Sequence, residues 1–367
     1  MKVIELFAGV GSQTQALKNI GVEHKVIGIS EIDKYAISSY EQLHGSVNNF
    51  GDISKIEKLP GADLWTYSFP CQDLSIAGNM EGIKKGNRSG LLKEVERLLL
   101  VSEKPKYLLM ENVKNLVSKK FKPDFEKWCE VLESLGYKNY CEVLNSKHYG
   151  VPQNRERVFM VSILNDENYI FYKKEFLNLK LKDILEKDVE EKFYLSKEYN
   201  ERYLKSNFKV NTDIKITGTT VGEGKGTNSR HWVHEIDGIV GCISATEFKQ
   251  PKQIKIMQVG NIVSTGNFKN PQRGRIYSSE GISPALNCVG GGGLEPKIVE
   301  ENKFVEQKFR LRKLTPRECW RLMGWKDEQF DKIKGISNQQ LYKQAGNGIV
   351  VNVLESIFEN LFKNKGC

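Results

Sequence analysis

The residues best suited to chemistry are a cysteine, a glutamate and two arginines at the ends of separate apolar runs. Residues 64–69 run into Pro70-Cys71-Gln72-Asp73-Leu74-Ser75, residues 107–111 end in Met110-Glu111 followed by Asn112-Val113, and Gln153-Asn154-Arg155-Glu156-Arg157 opens a third run. A thiol is only a few per cent thiolate at neutral pH unless cationic surroundings lower its pKa. Arg155 and Arg157 could supply those surroundings, and Glu111 a carboxyl able to hold or deliver a proton. Taken alone, Cys71 reads as an inert buried cysteine. With a carboxyl and a guanidinium at the same edge of a sheet, it reads as a nucleophile.

That edge depends on the elements between. Short β-branched runs at 2–7, 25–31, 64–69, 107–111, 140–144 and 157–164 alternate with helix-period segments such as 13–20 and 91–101. The alternation predicts βαβ units: an α/β fold with a mostly parallel sheet and helices on both faces. Ligands of such sheets bind at the carboxyl ends of the strands, where Cys71 and Glu111 would open. The first run leads into Phe7-Ala8-Gly9-Val10-Gly11-Ser12, a turn whose glycines let backbone approach a ligand at a helix N-terminus. Glu31 closes the second run 20 residues after Gly11, where an acid can hold ribose hydroxyls, and Gly51-Asp52-Ile53 follows an expected third strand. These residues predict an adenosine-type cofactor. The pattern is GxGxxT, which leaves a nicotinamide dinucleotide, S-adenosylmethionine and a plain glycine turn all open.

The 367 residues allow two or three domains. With 39% apolar and 28% charged residues, and no apolar run near 18 residues, the chain is neither a disordered tail nor a membrane-spanning protein. Seven cysteines without a CxxC pair argue against a disulfide scaffold or structural zinc and for a reduced cytoplasmic setting. The run at 2–7 carries Glu5 and reads as the first strand of a fold, not as a signal peptide. The formal net charge is +9, and it is unevenly placed. Residues 180–334 hold 28 Lys and Arg against 21 Asp and Glu, the rest of the chain 27 against 25, and 205–279 alone 11 against 5. A polyanion would bind that stretch first. Its pattern differs too: 175–205 looks helical and charged, 206–300 is rich in Gly, Asn and Lys, and helical periods return near 315–322 and 350–362. A weak repeat links the segments starting at Asp237 and Glu280, as two β-hairpin units or by chance. Gly222-Glu-Gly-Lys-Gly-Thr lacks the residue order of a P-loop.

Six segments occur in one order: Phe7-Ala-Gly-Val-Gly, Pro70-Cys71-Gln72, Glu111-Asn112-Val113, Gln153-Asn154-Arg155-Glu156-Arg157, Arg312-Lys-Leu-Thr-Pro-Arg-Glu and Gln344-Ala-Gly-Asn-Gly. In them the chain resembles the DNA (cytosine-5)-methyltransferases, over all but about 175–305. The resemblance implies a Rossmann-like S-adenosylmethionine-dependent fold with a second, smaller β-rich target-recognition domain. The expected division is 1–175, completed by 335–367, for the catalytic domain and 176–334 for recognition. It implies that the Cys71 thiolate adds to carbon 6 of cytosine, that Glu111 with a raised pKa protonates ring nitrogen 3, that Arg157 orients base and thiolate, and that Arg155 holds local structure. Phe7, Ala8, Gly9, Gly11, Glu31, Ile32, Asp52, Ile53, Pro70, Leu91, Asn347 and Ile349 would line the cofactor. Ser12 and Gly348 depart from the family's frequent glycine and serine. No metal is expected.

A base inside a duplex cannot reach a buried thiolate, so the target would be flipped out. Residues 72–90, with glycines at 78, 82, 86 and 90, match the family's mobile loop, and Gln72, Ser75 and Arg88 are its expected DNA contacts. Arg230, Arg273 and Arg275 are the basic candidates in the recognition region. Alternatives are an RNA cytosine-5 methyltransferase of the same fold and an inactive DNA-binding module. A methyltransferase acting on ring amino groups would need a [DNS]PP[YFW] segment, which is absent. The expected setting is the cytoplasm of a bacterium, or a phage-encoded protein there. The expected partners are double-stranded DNA and a cognate restriction endonuclease, with no membrane and a monomeric state.

Overall fold

The computed structural model describes residues 1–70, 88–172, 179–194 and 309–363, together with short strands between 195 and 308. The N-terminal part of the chain is built on a six-stranded sheet of β1 (Lys2–Leu6), β2 (Lys25–Ser30), β3 (Leu64–Tyr67), β4 (Tyr107–Val113), β5 (Tyr137–Asn145) and β7 (Glu156–Leu164), while β6 (Gln153–Asn154) lies apart. Its order is β2-β1-β3-β4-β7-β5. All six expected strands form, with ends shifted by a few residues. The strand expected directly ahead of Gly51, in addition to these six, is replaced by an isolated bridge, Ile29 to Asn49.

β1 to β4 are parallel, but β7 runs antiparallel to both of its neighbours. That reversal is what builds the site. An antiparallel strand begins at the edge where its neighbour ends, so Arg157 at the start of β7 pairs with Val113 at the end of β4, and Phe159 with Glu111.

The strands are apolar on both sides because helices cover both faces. One face buries Val3, Leu64, Leu109 and Val161, and the other Ile4, Trp65, Met110 and Met160. On the second face lie α3 (Leu92–Val101) and α4 (Lys122–Ser134), which contribute Leu98, Trp128 and Leu132. On the first lies α1 (Ser12–Asn19), with α2 (Lys34–His44) beside it at the β2 edge, started by Asp33 accepting from the backbone N–H groups of Tyr35 and Ala36. Among the later described residues lie the helices α5 (Pro316–Leu322), α6 (Asp327–Phe330), α7 (Asn338–Asn347) and α8 (Val351–Phe362). Leu314, Trp320, Met323 and Trp325 are buried in the same cluster as Val3, Leu17, Val351 and Ile357. Residues 314–325 therefore share the core of the sheet domain.

Between the halves, β8 (Gly218–Thr219), β9 (Trp232–His234) and β10 (Gln253–Ile254) form one small sheet. β11 (Gln258–Asn261), β12 (Arg275–Ser278), β14 (Lys297–Glu301) and β15 (Phe309–Lys313) form another, and β13 (Ser283–Pro284) pairs with β6. β13 belongs to the second copy of the weak repeat; of the first copy, only Gln253–Ile254, which form β10, are among the described residues. The helix expected over 175–205 is not what forms in its described part. Residues 179–194 hold only two 3-10 turns, Leu181–Ile184 and Glu191–Phe193. Helix propensity yields there to tertiary anchoring, because Ile184 and Phe193 are drawn into the core and Glu186 is bonded to α5.

Candidate active site

Glu111 faces the site from the last buried turn of β4, and its Oε1 lies 3.3 Å from Nε of Arg157. Arg157 is held in turn by donating to the backbone carbonyl of Glu156 at 2.8 Å. Burial pushes the Glu111 carboxyl above the ordinary carboxylate range, against the pull of Arg157, Arg155 and the Ser68 hydroxyl. A carboxyl so placed holds its proton to higher pH than an exposed carboxylate does. Asn112, next in the strand, is buried and donates from Nδ2 to the carbonyl of Phe69 at 3.0 Å. That contact ties the end of β4 to the segment where Pro70 leaves the sheet. Cys71 follows immediately; it lies outside the described residues, as do Gln72 and Ser75.

On the other side of β1, the turn from Phe7 to Gly11 adopts positive φ at Phe7, Gly9 and Gly11. At Gly11 no other residue fits: a Cβ would lie 2.6 Å from the Tyr40 and His44 side chains. At Gly9 a Cβ would meet nothing within 4 Å, so the backbone there borders open space. The N–H of Gly9 donates to Oε2 of Glu31 at 2.9 Å, and Oε1 of Glu31 accepts from the N–H groups of Ile32 and Asp33. A carboxylate has about four acceptor positions, so one remains for a ribose hydroxyl. Ile32 is 76% exposed, an apolar side chain open to an incoming flat group. The residues present fit an adenosine-type cofactor. Asp52 caps the turn Ile53–Lys55 through Ser54, which holds its carboxyl below the usual range, and Ile53 is buried in the core.

The segment 344–349 closes this side. Arg155 donates to the carbonyls of Gly346 at 3.1 Å and Gly348 at 2.8 Å. Gln344 donates to Tyr35 and accepts from Ser39, and Lys343 pairs with Asp33 at 2.6 Å. The segment is thus pinned between the catalytic edge and α2, with Asn347 exposed and Ile349 buried. Leu91 is the N-cap of α3 and Pro70 lies three residues beyond the end of β3, both half-buried. Arg88 begins a 3-10 turn and Arg275 begins β12, but their side chains, and Arg230 and Arg273 altogether, lie outside the described residues.

Glu5 was visible in sequence only as a charge interrupting an apolar run. In the fold it is fully buried, and its Oε1 accepts both the N–H and the hydroxyl of Thr14 at 2.8 Å. Since the N-cap of α1 is Gly11, which has no side chain, Glu5 supplies the cap instead. Burial pushes its carboxyl up to about 7. Among the described residues, no group of three or more His, Cys, Asp or Glu could hold a metal ion, and no helix is long and apolar enough to cross a membrane.

The family model for C-5 cytosine-specific DNA methylases matches residues 1–363. The chain is 34% identical to the type II methyltransferase M2.ScrFI of Lactococcus lactis subsp. cremoris, covering 100% of both chains. It is 32% identical to the orphan methyltransferase M.SPBetaI of Bacillus phage SPbeta, over 98% of this chain and 97% of that one. The fold is similar to the crystal structure of the S. pombe Dnmt2 methyltransferase, with a TM-score of 0.66 at 18% identity over 99% of this chain and 98% of that chain.

Proposed function

The chain belongs to the C-5 cytosine-specific DNA methylase family and is a DNA (cytosine-5)-methyltransferase dependent on S-adenosylmethionine; from that premise we propose how its own residues carry the reaction. Carbon 5 of cytosine is too weak a nucleophile to attack a sulfonium methyl unaided. The Cys71 thiolate forms a bond to carbon 6 of a flipped-out cytosine, and Glu111 gives its proton to ring nitrogen 3, which turns the ring into an enamine. Arg157 holds Glu111 and the base in register, and Arg155 acts at one remove by fixing segment 344–349. The cofactor supplies the methyl group and leaves as S-adenosylhomocysteine. A water or hydroxide from solvent then takes the carbon 5 proton, which expels Cys71 as thiolate, and ring nitrogen 3 returns its proton to Glu111. Phe7 to Gly11, with Pro70 and Leu91, would hold the methionine end, Glu31 the ribose, and Ile32, Asp52 and Ile53 the adenine, with Asn347 and Ile349 closing the pocket.

The observation that carries this reading is the Glu111–Arg157 pair at the sheet edge where Pro70 leaves, tied there by Asn112. Target recognition belongs to 176–334, whose last part, 314–334, also helps to build the catalytic core. We place DNA contacts at Gln72, Ser75, Arg88, Arg230, Arg273 and Arg275. The protein acts as a monomer on duplex DNA, beside a restriction endonuclease that reads the same sequence. Bisulfite sequencing of DNA from cells expressing the protein tests the assignment. Protected cytosines within one recurring sequence are the expected result, and uniform conversion would overturn it.

A further inference from the structure

The chain leaves the catalytic domain through residues 179–194 and re-enters it through β15 and α5, and these two crossings are bonded to each other at one place. At its centre Glu318 is fully buried and accepts four hydrogen bonds. Two come from Arg312, both at 2.9 Å, one from the N–H of Thr315 at 2.8 Å, and one from the N–H of Glu186 at 2.8 Å. Glu186 belongs to the outgoing chain, 132 residues earlier. Its own carboxylate accepts the Thr315 hydroxyl and lies 3.2 Å from Nε of Arg317. Arg321 adds a donor to the carbonyl of Ile184 at 2.8 Å, and Tyr194 forms an antiparallel bridge with Arg312.

An exposed ion pair would carry no weight here, because such pairs contribute little and are readily screened. This one is different in construction. Glu186 is about one-quarter exposed, and each of its contacts joins the outgoing chain to the returning one. A buried charge network is a poor source of net stability, since desolvation offsets most of its attraction; what it fixes well is geometry. The geometry fixed is that of a doorway, through which everything between 195 and 308 enters and leaves.

We propose that Glu186 is a positioning residue for DNA methylation: by holding Ile184–Glu186 against Thr315 and Arg317, it sets where the 195–308 region presents DNA to Cys71 and Glu111. This rests on the reading of that region as the DNA-recognition domain. The role is indirect, so its mark is a split between substrates. Loosening the doorway misplaces DNA and leaves the cofactor turn at Phe7–Gly11 as it was.

The test compares Glu186→Ala and Glu186→Gln with the unaltered enzyme. KM for duplex DNA, preference for the target over sites differing by one base pair, and cofactor Kd without DNA are measured, with thermal melting alongside. Glu186→Ala should raise KM for DNA roughly 3- to 10-fold and erode site preference, with cofactor Kd and melting nearly unchanged. Glu186→Gln keeps an acceptor for Thr315 but loses the charge opposite Arg317, so it should fall between. Unaltered DNA KM and preference in Glu186→Ala would overturn the proposal. So would a parallel weakening of DNA and cofactor binding, which marks general loosening. The double variant Arg273→Ala/Arg275→Ala separates the two levels. If it weakens DNA binding and Glu186→Ala does not, only the doorway role fails; if neither does, the DNA assignment of the region fails with it.

Discussion

Arg312 meets Glu318 through two 2.9 Å contacts with both side chains wholly buried, whereas Arg157 meets Glu111 through one contact of 3.3 Å, with both partly open to the site. Glu318 has every acceptor position occupied, counting the N–H groups of Thr315 and Glu186. Glu111 has Arg157 and Ser68, and desolvation outweighs them. The residue types are the same and the consequences opposite. A carboxylate saturated with donors serves as a joint. One that is desolvated and under-supplied holds its proton to higher pH, as the proposed role of acid requires. At the catalytic edge the open geometry also leaves Arg157 room to meet a base.

Breaking the saturated pair should cost the most. Arg312→Met leaves Glu318 buried without its counter-ion, and urea unfolding should show a loss of about 3–5 kcal/mol, while replacing both partners by apolar residues recovers much of it. Arg157→Met should lower stability by under about 1 kcal/mol and act on turnover instead. Equal stability losses at the two arginines would erase the distinction between joint and active site.

Next comes Glu111→Gln, which should lower kcat about 10²- to 10³-fold while cofactor and DNA binding stay largely intact. The sign of its pH dependence follows from the raised pKa. The acid form persists above the usual carboxylate range, so kcat of the unaltered enzyme should hold at lower pH and fall as pH rises through that pKa. The amide variant cannot titrate and should lack this falling limb. The same limb seen in Glu111→Gln would assign it to another group.

Glu5 lies between the two cases: Thr14 satisfies one oxygen and the Tyr40 hydroxyl also pulls on the carboxyl, yet burial outweighs both. Its pKa is pushed from 4.5 up to about 7, so between those values the folded protein binds more protons than the unfolded chain. Stability should therefore fall as pH rises through that window, by up to about 3 kcal/mol. Glu5→Gln should flatten the dependence measured by urea unfolding at pH 5 and pH 8. A slope unchanged by the substitution would place its origin elsewhere.

What was legible in the sequence was whatever repeats a local rule. The strands of the sheet, the glycine turn, and the order of Cys71, Glu111 and Arg157 follow from periodicity and motif, because residues close in sequence carry them. The antiparallel course of β7 was not legible, although it is what brings Arg157 beside Glu111; hydrophobic pattern has no direction. The doorway was equally hidden. Glu186 and Glu318 are far apart in sequence and look like ordinary surface charges, and the segment around Glu186 has helical periodicity that tertiary bonds override. Glu5 was visible as an anomaly, but its partner Thr14 comes from the helix beyond the turn. Side chains that join distant segments depend on the fold to be recognised.

The central claim is the covalent step at Cys71, and a duplex carrying 5-fluorocytosine at the target reads it most directly. Fluorine cannot leave carbon 5 as a proton does, so elimination stalls after methyl transfer and the adduct accumulates. Incubated with S-adenosylmethionine, the unaltered enzyme should give a denaturant-resistant protein–DNA species whose mass includes one added methyl group, and Cys71→Ala should give none. Methylation of the normal duplex without any such species on the fluorinated one, or turnover by Cys71→Ala, would contradict the account.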